Sequence, residues 1–298
     1  AAAVGLGTFG ATLIQLPATM PVLLQAVRDS ALAAAGGLLV SGVTLFILPT
    51  LEKLFDITTG MTLVELRDPK QPLQRQLQQR APGTYNHSLN LASLAEAGAE
   101  SIGANGLLAY VGALYHDIGK MNKPDYFVEN QQPGFNRHDR LSPAMSLLVI
   151  VGHVKDGMEL AREFNLPRTI QHFIESHHGT TLVEYFFHRA KKQALEQARA
   201  EGEDPAEAVQ VPDEFDYRYP GPKPRTKETA IVMLSDAIES TTRTLPEPTP
   251  ARIEAVVSTI AQARLADGQF DALVSFAKGD TAHARDAIHK LLGAQPDN

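Results

Sequence analysis

The stretch YHDIGK at residues 115–120 is central to the prediction of both the fold and the site. His116 followed directly by Asp117 places two metal-binding groups at one point of the backbone, and the two carboxylate oxygens can contact two ions at once. The residues around the pair are small or apolar, which is typical of a pair buried on a packed helix. A buried charge needs a partner, and a metal cation can provide it. The dipeptide alone is equally compatible with an ordinary helix that carries a histidine and an aspartate.

The composition narrows the classes of site. The 298 residues allow one or two domains, and a formal net charge of -7 argues against a broad surface for DNA or RNA. The chain contains no cysteine, which excludes disulfides, iron–sulfur clusters and thiolate zinc sites. A metal would be held by histidine nitrogen and carboxylate oxygen, which favours iron, manganese or zinc over copper(I).

Residues 1–50 have the composition of the end of a transmembrane region. Residues 31–49 carry no charge and are long enough, as a helix, to cross most of a bilayer. Residues 1–26 are also uncharged, and a polar connection is predicted at Arg28-Asp29. We therefore expect one or two transmembrane helices in contact with lipid. The chain does not begin with methionine, so a truncated membrane region is expected. Basic residues after the apolar run place the C-terminal part in the cytoplasm. A buried hairpin of a soluble domain is the alternative.

The remaining sequence predicts an all-α domain. Residues 51–80 are predicted to be a connector whose regular structure is limited by prolines. Over residues 81–298 apolar residues recur with helical spacing and strand patterns are nearly absent, with Asn105 and Ser142 as predicted helix starts. Residues 189–212 are charged and poor in large apolar residues, which predicts an exposed helical arm or a mobile insert.

Five further residues have the chemistry and the position of metal ligands. Each lies at a helix end or inside an apolar run: His87, His153, His177, His178 and Asp236. Each alone could be an ordinary core, capping or surface residue, but their number favours convergence on one site. The other histidines have polar neighbours and are predicted to lie on the surface: His138, His172, His188, His283 and His289.

The number of ligands predicts two divalent ions that share Asp117. One ion would be held by His87, His116, Asp117 and Asp236. The second would be held by Asp117, His153, His177 and His178. Two ions about 3.5–4 Å apart suit phosphoester hydrolysis, because they generate hydroxide, orient the phosphate and stabilise the leaving oxygen.

Basic residues complete the predicted site. Lys120 lies one helical turn beyond His116 and can stabilise negative charge on a phosphoryl oxygen, so Asp117 and Lys120 are the predicted catalytic residues. Arg218, Lys223 and Arg225 are candidate substrate contacts at a phosphate-facing rim, although a solvated charged loop is the simpler explanation for them.

The spacing of these residues resembles the H…HD…D signature of the HD-domain metal-dependent phosphohydrolases. Longer strings are similar to the cytoplasmic domain of the seven-transmembrane HD phosphodiesterases of the PgpH type: APGTYNHSL, IGANGLLAYVGALYHDIGK, HVKDGMELA, ESHHGTTLVEYF and YRYPGPKPRTKE. The resemblance covers about residues 51–245. It implies an all-α HD bundle, a two-metal site often containing iron or manganese, and hydrolysis of cyclic di-AMP to linear pApA. It also implies several membrane helices, of which this chain would retain the last one or two.

Carried over residue by residue, the resemblance implies the same seven metal ligands. Asn86 departs from it, because a second histidine is expected beside His87, and the insert at 189–212 is longer than the family version. The related HD-GYP class, which cleaves cyclic di-GMP, is the nearest competitor. Its Gly-Tyr-Pro element is missing here, since His178 is followed by Gly179 and Thr180.

The first hypothesis is therefore a membrane-anchored cyclic di-AMP phosphodiesterase in which hydroxide attacks at a two-metal site. An HD hydrolase of another nucleotide, such as cyclic di-GMP, guanosine tetraphosphate or a deoxynucleoside triphosphate, is the second. A non-catalytic nucleotide-binding signalling module is the third. The expected partners are a cyclic dinucleotide and membrane lipid, and a homodimer is compatible with the sequence.

Overall fold

The structure, a computed structural model, describes residues 1–15, 19–55, 57–132, 134–201 and 212–276. Within these ranges the chain is helical, and a single bridge between Leu182 and Arg218 is the sole β pairing. The α-helices are α1 Ala2–Gln15, α2 Met20–Phe55, α3 Gly60–Leu66, α4 Pro72–Arg80, α5 Pro82–Ser101, α6 Gly106–Tyr115, α7 Pro143–Glu163, α8 Arg168–Ser176, α9 Glu184–Glu201, α10 Lys227–Arg243, α11 Pro250–Ala266 and α12 Asp271–Phe276. The all-α prediction is confirmed.

The first compact unit, Ala1–Thr59, consists of α1 and α2. The prediction of a polar connection at Arg28-Asp29 is wrong, because α2 continues through both residues over 36 residues. Met20–Glu52 is the one helix of the described residues that is long and apolar enough to cross a membrane, with a mean hydropathy of 2.2. Its apolar window is 0% buried, which argues against a buried hairpin of a soluble domain.

The second compact unit, Gly60–Asn298, begins inside the predicted connector. Pro69 lies in the turn between α3 and α4, as the prediction of limited regular structure requires, whereas Pro72 occupies the first turn of α4, where a missing N–H costs nothing. Leu73 and Leu77 lie one turn apart on α4 and are 2% and 0% exposed, and Leu63 of α3 joins the same apolar cluster. Both short helices therefore belong to the core of the unit.

Helix α6 occupies the centre of this unit. Its sequence is apolar on every side, and Ala109, Val111, Ala113 and Leu114 are all buried. Helices α5, α8 and α10 pack around it, and α5 also packs against α10. Asn105 caps the start of α6 by accepting a hydrogen bond from the Leu108 amide, as its position in the sequence predicts.

The predicted insert is partly a continuation of a regular helix. α9 begins at Glu184, five residues before the insert, and extends through its first half to Glu201. Phe186 at the start of α9 is buried against Leu147 of α7 and Tyr217. Residues 202–211 lie outside the described residues.

Candidate metal centre

His116 and Asp117 lie at the C-terminal end of α6 rather than within it. His116 caps the helix, Asp117 precedes the 3₁₀ turn Ile118–Asn122, and the two are 0% and 1% exposed. Gly119 in this turn presses against the backbone of α7, where a Cβ atom would lie 1.9 Å from the His153 carbonyl oxygen. The absence of a side chain at this glycine brings Asp117 beside His153.

The structure brings all seven sequence-predicted ligands together. They come from α5 (His87), the end of α6 (His116 and Asp117), α7 (His153), the end of α8 (His177 and His178) and α10 (Asp236). They form two groups, within each of which the donor atoms lie within 4.8 Å of one another. Asp117 belongs to both groups, and the groups have the same members as those predicted from the sequence.

The two oxygens of Asp117 face different groups. Oδ2 lies 3.2 Å from Nε2 of His116 and 3.9 Å from Nε2 of His87. Oδ1 lies 3.3 Å from Nε2 of His153 and 3.5 Å from Nε2 of His177. One carboxylate therefore joins the two groups, each through a separate oxygen.

Three histidines are oriented by the backbone carbonyl three residues earlier. The Nδ1 atoms of His116, His153 and His177 lie 2.7, 2.5 and 3.0 Å from that oxygen. A carbonyl only accepts, so each Nδ1 carries the proton in this contact and the lone pair of Nε2 faces the centre. This arrangement leaves Nε2 free to bind a cation.

His87 has a carboxylate as its orienting partner. Its Nδ1 lies 2.6 Å from Glu239 Oε2, and its Nε2 lies 3.1 Å from Asp236 Oδ1. Burial lowers the pKa of His87, but these two hydrogen bonds outweigh burial and raise the pKa to about 10. Sequence reasoning missed Glu239, although it lies one helical turn after Asp236 on the same apolar helix.

Unsatisfied buried atoms show that the site fits a divalent cation. His116 Nε2 and Asp117 Oδ1 are buried and have no hydrogen-bond partner among the described residues, whereas Asp117 Oδ2 contacts the Lys120 ammonium group at 2.6 Å. Burial lowers the pKa of His177 and His178, whereas the pKa of Asp117 is raised by burial but held well below its ordinary value by His116 and Lys120. Neutral imidazoles and an ionised carboxylate are the forms that bind metal, so His177, His178 and Asp117 are in those forms, whereas His87 must lose a proton to bind a cation. The cluster of histidines and aspartates can thus hold metal ions.

Lys120 lies against this cluster and is held by two carboxylates. Its Nζ is 2.6 Å from Asp117 Oδ2 and 3.1 Å from Glu129 Oε1, and Glu129 accepts a second hydrogen bond from Thr84. Burial lowers the pKa of Lys120, but these carboxylates outweigh burial and raise it. The ammonium group is therefore charged and fixed in position.

A cavity of about 720 Å³ opens beside the cluster. Its lining includes His87, His153, His178 and Asp236 of the cluster, with Lys120. Aromatic side chains form much of the remaining wall: Tyr126, Phe127, Tyr185, Phe186 and Tyr219. The volume is in the range of a small-ligand site.

Tyr219 supports the ring of His178. The two rings stack with centroids 4.2 Å apart and planes inclined by 24°. Tyr219 follows the 3₁₀ turn Phe215–Tyr217, and its amide donates to the Thr181 carbonyl, which brings this part of the chain to the end of α8. Stacking limits the rotation of His178. Among the described residues, it is the one histidine of the cluster whose ring stacks on an aromatic side chain.

The prediction that His138 lies on the surface is wrong. It is 4% exposed, lines the cavity, and packs between the rings of Tyr126 and Phe186. His172 is partly buried and contacts Glu175, and His188 is exposed as predicted. His283 and His289 lie outside the described residues.

The three basic candidates for substrate contact lie outside the cavity lining. Arg218 donates to Asp267 at 2.9 and 3.0 Å and to Glu214, and Lys223 donates to the Gly268 carbonyl. Arg225 is exposed. Of the described residues, Lys120 and Arg243 are the lysine and arginine side chains that line the cavity.

Comparison with known proteins identifies the family. The family model of the HD domain matches residues 84–241, which is more than half of the chain. The chain belongs to the HD-domain family. All seven candidate ligands lie within the matched residues.

The relatives agree with the resemblance inferred from the sequence. Cyclic-di-AMP phosphodiesterase PgpH of Listeria monocytogenes is 45% identical over 248 residues, covering 81% of this chain and 32% of the relative. PgpH of Bacillus subtilis is 42% identical over 224 residues, covering 75% of this chain and 29% of the relative. The chain thus spans about a third of the length of the curated relatives it matches.

Solved structures support the same assignment. The crystal structure of the L. monocytogenes PgpH HD domain has a TM-score of 0.64 at 42% identity, covering 75% of this chain and 97% of that one. The structure of the same domain in complex with cyclic di-AMP has a TM-score of 0.66 at 42% identity, covering 76% and 97%. The predicted resemblance to the PgpH type is confirmed.

Proposed function

We propose that the protein is a membrane-anchored, metal-dependent phosphodiesterase that hydrolyses cyclic di-AMP to linear pApA. The observation that carries the proposal is the joining of two ligand groups by Asp117 beside a cavity of about 720 Å³. The identity of 42–45% to proteins named cyclic-di-AMP phosphodiesterase, one of whose HD domains has been crystallised with cyclic di-AMP, supports the choice of substrate.

The proposed cofactor is a pair of divalent ions, iron or manganese, with zinc as a further candidate. One ion would be held by His87, His116, Asp117 and Asp236. The other would be held by Asp117, His153, His177 and His178. Nitrogen and oxygen donors without thiolate suit these metals. When bound, the pair would supply activation of water and neutralisation of charge on the phosphate.

The residues of the chain orient and neutralise the reacting phosphate. In the overall reaction an oxygen of water bonds to phosphorus, the P–O3′ bond breaks, and O3′ leaves with a proton. Lys120, fixed by Asp117 and Glu129, presents a positive charge to the phosphoryl oxygens as negative charge develops. Glu239 and the backbone carbonyls keep the imidazoles in one orientation, and Tyr219 holds His178 against the cavity wall.

The proposed location is the cell membrane, with α2 in contact with lipid and the HD domain in the cytoplasm. The length and apolar composition of Met20–Glu52 support the anchor. The basic residues that follow, Lys70, Arg75 and Arg80, support the orientation, because cytoplasmic flanks are enriched in lysine and arginine. The arrangement is compatible with a homodimer.

The test is hydrolysis of cyclic di-AMP and cyclic di-GMP by the full chain in detergent, reconstituted with Mn²⁺ or Fe²⁺. We expect turnover of cyclic di-AMP to pApA that is lost in Asp117→Ala and after removal of metal by a chelator. Preference for cyclic di-GMP would contradict the proposed substrate. Turnover of neither compound by protein with bound metal would contradict the proposed activity and favour a binding role.

A further inference from the structure

Among the described residues, one lysine and one arginine line the cavity, and the proposed chemistry uses only the lysine. Lys120 is held by carboxylates at 2.6 and 3.1 Å. The other, Arg243, is the last residue of α10, and its nearest acidic group in the structure, Glu239 Oε2, lies at 3.9 Å, close to the limit of an ion pair. Its side chain is 39% exposed.

Arg243 lies close to the metal centre. Glu239 Oε2 is 3.9 Å from Nη2 of Arg243 and 2.6 Å from Nδ1 of His87, so Nη2 is no more than about 6.5 Å from that imidazole. The guanidinium and the His87 imidazole therefore lie on either side of one carboxylate oxygen. A substrate group bound next to the metal centre can contact Arg243.

Two hydroxyl groups accompany Arg243 on the cavity wall. Ser240 and Thr244, three residues before and one after it in sequence, also line the cavity. On a helix, residues three apart share a face, so the Ser240 hydroxyl and the guanidinium offer hydrogen-bond donors to one region of the cavity, whereas the Thr244 hydroxyl donates to the Thr241 carbonyl. The nearest carboxylate, Glu239, lies 3.9 Å from the guanidinium and 2.6 Å from His87, so the donors of Arg243 remain able to bind an anionic group of the substrate.

We propose that Arg243 binds the second phosphate of a cyclic dinucleotide, the one that is not cleaved, and thereby selects cyclic dinucleotides over diesters with one phosphate. The inference rests on the proposed function. A cyclic dinucleotide carries two phosphates of one negative charge each, and the metal centre with Lys120 neutralises the one that reacts. The other enters a cavity that also contains the carboxylates of Glu129 and Asp236, so it needs a separate cation. A guanidinium fork matches two phosphate oxygens.

A purely structural role for Arg243 makes a different prediction. A positive charge at a helix C-terminus and a long ion pair with Glu239 at 3.9 Å contribute only weakly to stability. Such a role would change the melting temperature and leave the choice of substrate unaltered. The ratio of activities on two substrates therefore separates the two roles.

The experiment compares the wild-type full chain in detergent with Arg243→Gln and Arg243→Lys, all loaded with Mn²⁺. The substrates are cyclic di-AMP and bis(p-nitrophenyl) phosphate, a diester with a single phosphate. In Arg243→Gln we expect kcat/KM for cyclic di-AMP to fall about 10- to 100-fold more than that for the single-phosphate diester, mainly through KM. Arg243→Lys, which retains the charge without the fork, should recover part of the loss.

Arg252→Gln is the matched control. Arg252 lies on α11, pairs with Glu247 at 3.2 Å and does not line the cavity, so its replacement should leave the ratio of the two activities unaltered. Metal content, measured by mass spectrometry, should be the same in all variants.

Three outcomes would overturn the proposal. Equal loss on both substrates would place Arg243 at the reacting phosphate, loss of metal would assign it to support of His87 through Glu239, and an unaltered ratio would leave it as an ion-pair partner. If the wild type cleaves bis(p-nitrophenyl) phosphate but no cyclic dinucleotide, the proposed function fails together with this inference. If the wild type cleaves cyclic di-AMP but Arg243→Gln leaves the ratio of the two activities unaltered, the inference about Arg243 fails and the proposed function stands.

Discussion

Replacement of Gly119 by alanine tests whether the approach of two backbones sets the geometry of the metal centre. The new Cβ would lie 1.9 Å from the carbonyl oxygen of His153 and 2.4 Å from the amide nitrogen of Gly157. Both atoms belong to the backbone of α7, so no rotation of a side chain can relieve the contact. Ordinary contact begins at 3.4 Å, and the 3₁₀ turn and α7 must therefore separate by about 1.5 Å.

This separation acts on stability and on activity to different extents. Overpacking of a core typically costs about 1–3 kcal/mol, which a domain with a stability of about 5–15 kcal/mol tolerates. The same movement lengthens the 3.3 Å distance between Asp117 Oδ1 and His153 Nε2, which joins the two ligand groups. A displacement of about 1 Å can reduce a rate about 100-fold. We expect Gly119→Ala to fold, with turnover of cyclic di-AMP reduced at least about 100-fold.

The assay combines urea unfolding followed by circular dichroism, metal content and turnover. Gly152→Ala is the matched control, because Gly152 lies on α7 directly before His153 and a methyl group added there would have no atom within 4 Å. Alanine is favoured over glycine in a helix by about 0.5–1 kcal/mol, so this control should be slightly more stable and fully active. Wild-type turnover and metal content in Gly119→Ala would refute the reasoning.

Three further predictions concern the support of the site and its link to the fold. Glu239→Gln should lower metal affinity about 10- to 100-fold, because it removes the carboxylate that orients His87. The affinity is measured by competition with a chelator, and a value equal to that of the exposed control variant Glu254→Gln would contradict the prediction. A chain that begins at residue 81 should have a much lower melting temperature than one that begins at residue 60. The loss of α3 and α4 removes the buried Leu63, Leu73 and Leu77, whose burial contributes about 1.5–3 kcal/mol each. Equal melting temperatures would refute this. Mn²⁺ at 100 times its Kd should stabilise the wild type by about 2.7 kcal/mol and leave Asp117→Ala unaffected, and a similar shift in both would show binding elsewhere.

The main features of the site could be predicted because its ligands disturb local patterns. Asp236 interrupts an apolar helix, His177 and His178 end a helix before Gly179, and the pair at residues 116–117 follows an apolar helix. A charged or ligating group in such a position needs a partner, and several of them suggest a common one. Resemblance to a known family then supplied the substrate class, which the local patterns leave open.

The residues that sequence reasoning missed or misplaced depend on distant partners. Glu239 binds His87, 152 residues away in the chain, and a helical period does not show which side chain will face it. His138 has polar neighbours in sequence, but the ring of Phe186, from α9, covers it in the folded chain. Likewise, Pro72 of the predicted connector is compatible with a helix start, and only the leucines that follow it, Leu73 and Leu77, indicate burial.

The geometry of the centre also explains why fold and site cannot be separated in this protein. The ligands come from five helices. Two of the atoms that face the centre, His116 Nε2 and Asp117 Oδ1, are buried without hydrogen bonds among the described residues, while Asp117 Oδ2 contacts Lys120. Each unsatisfied buried polar atom costs about 1–3 kcal/mol. These atoms lie together between the helices, where a bound cation would offset the cost. Metal binding would therefore join the helices that hold it, and a change of packing outside the cavity lining, such as at Gly119, would change the geometry of the ligands.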